Sequence, residues 1–192
     1  MTIPTQRGII VKFGYQLESK RVRAHGRLCS CASFPYKKVV IMDIRKLKPH
    51  EEAPMDLLLM ADPSRKLIED YLKRGECYVA KTAEEIVGVY IVLPTKPETI
   101  ELINVAVAEE YHGKGIGKRL VMDAVEQAER KGYKTIEIGT GNSSIGQLAL
   151  YQKCGFRISD IDKDFFIRNY PEEIFENGIQ CRDMIRLALD LY

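Results

Sequence analysis

The chain of 192 residues has no apolar run near the ~18 residues that a membrane-spanning helix needs. Its start is no secretory leader either: the apolar stretch 8–11 is cut by Lys12, too short for a signal-peptide core. Five cysteines, Cys29, Cys31, Cys77, Cys154 and Cys181, are odd in number and follow no framework spacing. That excludes a disulfide scaffold and reads as reduced thiols of the cytoplasm. Cys29-x-Cys31 lacks a second ligand pair at zinc spacing, so no metal is expected. Charge of one sign is not in excess, with 29 Lys or Arg against 27 Asp or Glu. What is there is a 45% hydrophobic chain, long enough for one good core and too short for two.

The charge balance hides an asymmetry. Residues 1–41 carry eight Lys or Arg against one acid, Glu18, and show neither helical nor strand period. The composition changes at Met42, and residues 37–42 can be encoded by a purine-rich, ribosome-binding type of message before a start codon. Met42 is therefore the expected natural start, with 1–41 a basic extension and 42–192 the working domain. The leader lacks a recognisable nucleic-acid motif, so a nucleic-acid partner is not expected.

From Met42 the pattern is orderly. A strand is expected at 42–46, then a helix from Met55 to the Asp62-Pro63 break. Ser64 caps a second helix with Leu67, Ile68, Tyr71 and Leu72 on one face and Gly75 as its stop. Strands 77–81 and 86–93 read as a hairpin, and Pro94 and Pro97 bracket the loop to strand 99–107. Ile116, Leu120, Val121, Ala124, Val125 and Ala128 make one apolar face of a long helix ending at Gly132. Strand 135–138, loop 139–142 and helix 144–153 follow, then strands 156–161 and 184–189. The connection 164–180 carries a helical piece of its own, and its acids Glu172, Glu173 and Glu176 read as a solvated helix face. Strand, helix, strand implies a right-handed crossover, hence a parallel pair between the strands at 99 and 135.

The loop His112-Gly113-Lys114-Gly115-Ile116-Gly117 joins the first of these strands to the long helix. Such a turn presents backbone N–H groups and the positive helix end to a phosphate. It is not a P-loop, since His112 stands where the opening glycine belongs and Arg119 follows Lys118. It is not a dinucleotide fingerprint, because Leu120 occupies the third small-residue position. What remains is Arg/Gln-x-x-Gly-x-Gly/Ala, met by His112, Gly115 and Gly117. Downstream, Leu150-Tyr151-Gln152-Lys153-Cys154-Gly155-Phe156 matches Leu-Tyr-x-x-x-Gly-Phe. With both motifs in order, the sequence from about 42 to 191 resembles the GNAT superfamily, the acyl-CoA-dependent N-acetyltransferases.

The resemblance implies an α/β fold: a mixed central sheet of about six to seven strands, a splayed parallel pair and helices on both faces. It implies acetyl-CoA as acyl donor, its pyrophosphate on backbone N–H groups of Gly113, Lys114, Gly115, Ile116, Gly117 and Lys118, beside His112. The pantetheine arm would pair with Val105 and Val107. Glu101, eleven residues before His112, stands where some members carry a general base, although its alternation with Ile100 and Leu102 also fits a solvent-facing strand glutamate. Tyr151 matches the tyrosine that protonates the departing thiolate. Ser144 occupies the usual place of a CoA-contacting asparagine, with Asn142 two residues earlier. The implied reaction is direct attack of a primary amine, from a small molecule or protein, on the donor in a ternary complex; the rival is an acyl-CoA-binding module without turnover. No membrane partner is expected, and a homodimer is left open.

Overall fold

The computed structural model describes residues 42–83 and 85–192. The basic leader, Cys29 and Cys31 lie outside them. One seven-stranded sheet organises the rest, in the order β1-β2-β3-β4-β5-β9-β6. Its first three strands are β1 (Asp43–Lys46), β2 (Glu76–Lys81) and β3 (Ile86–Lys96). The centre is β4 (Thr99–Val107) beside β5 (Thr135–Gly141), and β9 (Met184–Asp190) with β6 (Arg157–Asp162) closes the far side. All neighbours are antiparallel except β4 and β5.

Helices α1 (Met55–Ala61) and α2 (Arg65–Arg74) pack on one face, and α3 (Ile116–Arg130) on the other. The apolar stripe of α3 is buried at all six positions that set its period. Pro63 stops α1, and the Ser64 hydroxyl accepts the Leu67 N–H at 3.4 Å to start α2. Helix α4 (Ile145–Lys153) precedes β6. Strand β4 is buried along nearly its whole length, including Glu101, which is 1% exposed. The reading of Glu101 as a solvent-facing residue is therefore excluded.

Two strands outrun their expected ends. β3 continues through Pro94 to Lys96, because β2 stops at Glu76 opposite Val92 and leaves the proline with β4 as its neighbour. β5 continues through Gly139 to Gly141, since β9 pairs with it all the way. Here the glycines are needed for space. A Cβ on Gly139 would lie 2.7 Å from Met184 Sδ, and one on Gly141 2.4 Å from Cys181 Sγ.

The connection after β6 holds α5 (Phe165–Asn169) and a small hairpin, β7 (Phe175–Glu176) with β8 (Ile179–Gln180). Phe165, Phe166, Cys181 and Met184 form a second apolar cluster, with Tyr170 and Ile174 against it. The three acids are not a helix face: Glu176 belongs to β7 and accepts a hydrogen bond from Ser144 Oγ at 2.5 Å.

Candidate active site

The site begins with one unmatched residue. Asn104 pairs with Ile91 and Leu102 with Val92, so Ile103 is extra and β4 bulges there. The bulge puts Glu101 and Asn104 on one face. Asn104 Nδ2 donates to the Leu58 carbonyl at 3.2 Å, which ties α1 to the bulge. Tyr90, the partner of Val105, donates its hydroxyl proton to Asp123 of α3 at 2.5 Å, so Val105 and Val107 face the opposite way. The parallel pairing of β4 with β5 ends at Leu102 and Ile138. Beyond it, residues 103–107 have no strand partner on that side among the described residues, and an extended ligand could supply one.

The glycine loop stands at the end of this opening. Gly113 and Gly115 adopt left-handed backbone, φ 71° and 82°, and space around both is open. Helix α3 has no side-chain cap among the described residues, and Arg119 N–H is the first to bond back, to the Gly115 carbonyl at 3.2 Å. The N–H groups of Ile116, Gly117 and Lys118 therefore lie at the open helix end. His112 holds the loop to the strand, with Nε2 2.7 Å from the Val107 carbonyl. Lys114 Nζ lies 4.4 Å over the Tyr111 ring and donates to the Glu110 carbonyl at 2.6 Å. These features fit a diphosphate-bearing donor with an extended arm.

Tyr151 on α4 is fully buried, and its hydroxyl has no hydrogen-bond partner among the described residues. Burial pushes that hydroxyl well above the ordinary phenol range, so it stays protonated. Asn142 and Ser144 are occupied otherwise. Asn142 Oδ1 accepts the N–H groups of Arg182 and Asp183, at 2.7 and 2.9 Å, and its amide donates to the Gln180 carbonyl at 3.0 Å. Ser144 holds β7 through Glu176. Both fasten the segment after β6 to the end of β5.

One charged residue of the site was not singled out in the sequence. Arg186 on β9 places Nη1 3.1 Å from Glu101 Oε1. It pairs in register with Gly139, past which it runs. A lone arginine within the apolar run 184–189 was the available signal. Asp62, read only as a helix break, has its carboxylate fully buried at the end of α1.

An open strand edge in front of an uncapped, glycine-led helix defines an acyl-CoA-binding α/β acyltransferase. Residues 41–156 match the model of the acetyltransferase (GNAT) family. The chain is 63% identical to the uncharacterised N-acetyltransferase YvbK of Bacillus subtilis strain 168, over 71% of this chain and 88% of the relative. A Bacillus subtilis acetyltransferase solved in complex with CoA is 57% identical, with TM-score 0.77 over 79% of this chain and all of that one. A GNAT family acetyltransferase of Elizabethkingia anophelis with acetyl-CoA bound is 53% identical, TM-score 0.76, covering 78% and 98%. This chain belongs to the GNAT acetyltransferase family and is an acetyl-CoA-dependent acyltransferase.

Proposed function

We propose that the protein transfers an acetyl group from acetyl-CoA to a primary amine by direct attack within a ternary complex. The observation that carries this reading is the end of the β4–β5 pairing at Leu102 and Ile138, which leaves 103–107 without a strand partner on that side among the described residues, ahead of the glycine loop. Acetyl-CoA supplies the activated acyl group when bound. The N–H groups of Gly113 to Lys118 would hold its diphosphate, and the strand edge at the Val105 backbone and the Val107 N–H would pair with its amide-bearing arm. Residues 42–192 act as the catalytic domain.

The acceptor amine, with a pKa of ~10, arrives mostly protonated at neutral pH, so a base has to free its lone pair. Glu101 is suited to that role: it is buried on the open side of the sheet, and Arg186 holds one of its oxygens in place. Tyr151 is suited to donate to the departing thiolate, because its proton is retained and its hydroxyl has no partner among the described residues. Cys77, Cys154 and Cys181 are buried free thiols, which supports a reducing, cytoplasmic setting.

Thiol release from acetyl-CoA across a panel of primary amines tests the reading. Release with at least one amine, saturating in both substrates, is expected. Tight acetyl-CoA binding with no release across the panel would favour a binding module instead.

A further inference from the structure

The two outer strands of the sheet differ. β1 exposes no large apolar side chain, and its Arg45 is taken up by Glu51 through hydrogen bonds of 2.6 and 2.7 Å. β6 pairs with β9 alone among the described residues and is exposed from Arg157 to Ile161. On it Ile158 and Ile161 are 52% and 48% exposed. Edge strands of single chains are ordinarily blunted by charge, and two bared isoleucines on one of them point to a partner surface.

A bulge gives that strand its symmetry. Ser159 is unmatched between Ile158, opposite Leu187, and Asp160, opposite Arg186. Ile158 and Ile161 therefore stand opposite Leu187 and Ile185, on one face of the sheet. Arg157, Asp160 and Asp162 stand opposite Ala188, Arg186 and Met184, on the other. In an unbroken strand, 158 and 161, or 157 and 162, would fall on opposite faces, because side chains alternate. With the extra residue, a two-fold axis normal to the sheet between Ser159 and Asp160 lays β6 antiparallel on a second β6 with like faces together. Ile158 then meets Ile161 of the partner subunit, and Arg157 meets Asp162 of the partner subunit. Arg157 and Asp160 make no ion pair among the described residues, and Asp162 holds Arg168 of its own chain. Asp160 Oδ1 accepts the Ile161 N–H at 2.8 Å, so side chains rather than a full backbone ladder carry the contact there.

We infer that β6 is the interface of a two-fold homodimer, its partner a second copy of this chain docked β6 to β6. The inference goes beyond the transferase reading and does not depend on it. Two features of the strand select a second copy over another partner: its apolar pair matches itself on reversal, and its Arg and Asp ends exchange places. Such a contact uses the same edge on both copies, so it closes at two subunits instead of propagating. With six residues a side in the strand, association is weak and concentration-dependent.

Sedimentation equilibrium of the full chain, from about 1 to about 200 µM, is the test. Wild type is expected to pass from monomer to dimer across that range. Ile158→Asp should weaken the dimer by ~10-fold or more, with its melting temperature unchanged because the side chain is half exposed. Arg157→Glu and Asp162→Lys should each weaken it when measured alone and associate more tightly when mixed, since the mixed dimer restores both opposite-charge contacts. A wild type that stays monomeric overturns the inference. So does a dimer that Ile158→Asp leaves intact, or a mixture of the two charge variants no tighter than either alone. If Ile158→Asp melts below wild type, the mixture of charge variants decides.

Discussion

Arg186 passes the side-chain-free Gly139 of the intervening strand and meets Glu101 at 3.1 Å, on a strand two places away in the sheet. Glu101 is 2% exposed at its side chain and Arg186 22%, so the pair is largely desolvated. Removing the cation alone takes the countercharge from a buried carboxylate. Arg186→Met is expected to cost about 3 kcal/mol of stability, read from denaturant unfolding. Unchanged stability would mean that the pair contributes nothing in solution.

Glu101→Gln keeps the shape and removes the proposed base. We expect kcat to fall by ~10 to 1,000-fold while acetyl-CoA affinity stays within a factor of two. Steady-state kinetics beside calorimetry separates the two quantities. A wild-type kcat would remove Glu101 from the chemistry.

Tyr151→Phe deletes a buried hydroxyl that has no hydrogen-bond partner among the described residues. Stability should hold or rise by about 1 kcal/mol, since an unmet polar group is removed, while kcat falls by ~10 to 100-fold. Loss of activity without loss of stability is the signature that a packing role would not give.

Gly115→Asp places a side chain at φ 82° and a negative charge at the open end of α3. No neighbour lies in the way of the new Cβ, so the effect is strain and charge rather than collision. CoA affinity should drop at least 10-fold by calorimetry. An unaltered affinity would dissociate the loop from the diphosphate.

Asp62 gives the stability curve a sign that few acids give. Its folded pKa lies above the ordinary carboxylate value, so the folded chain binds that proton more tightly than the unfolded chain. Its contribution is favourable below about pH 4 and is lost as pH rises through about 6. The stability difference between Asp62→Asn and wild type should therefore be near zero at pH 4. By pH 7.5 it should reach about 3 kcal/mol in favour of the variant, as urea unfolding at several pH values would show. A difference that stays flat with pH would contradict the burial cause.

Much of the architecture was legible because it is written in local periods. The α3 stripe, the Ser64 cap and the strand ends at Thr99 and Thr135 all follow from spacing alone. β3 and β5 were read short because Pro94 and Gly139 break strands in isolation, whereas here each position is licensed by which neighbour is absent or close. The donor side was equally visible, since its motif is contiguous. The Glu101–Arg186 pair was not, since its two residues lie on β4 and β9 and only the folded sheet brings them within 3.1 Å.

The unmatched residue at Ile103 acts as a phase shift in the strand. Ahead of it, Glu101 faces Arg186; behind it, Val105 and Val107 turn toward α3, and Asn104 stays with α1. Parity alone would have sent Asn104 to the wrong side. A single-residue deletion at 103 would re-register every later position of β4 and unhook α1, whereas an insertion of similar size in the loop 170–174 would leave the sheet in frame. Length is therefore more tightly constrained at that one residue than in the whole of that loop.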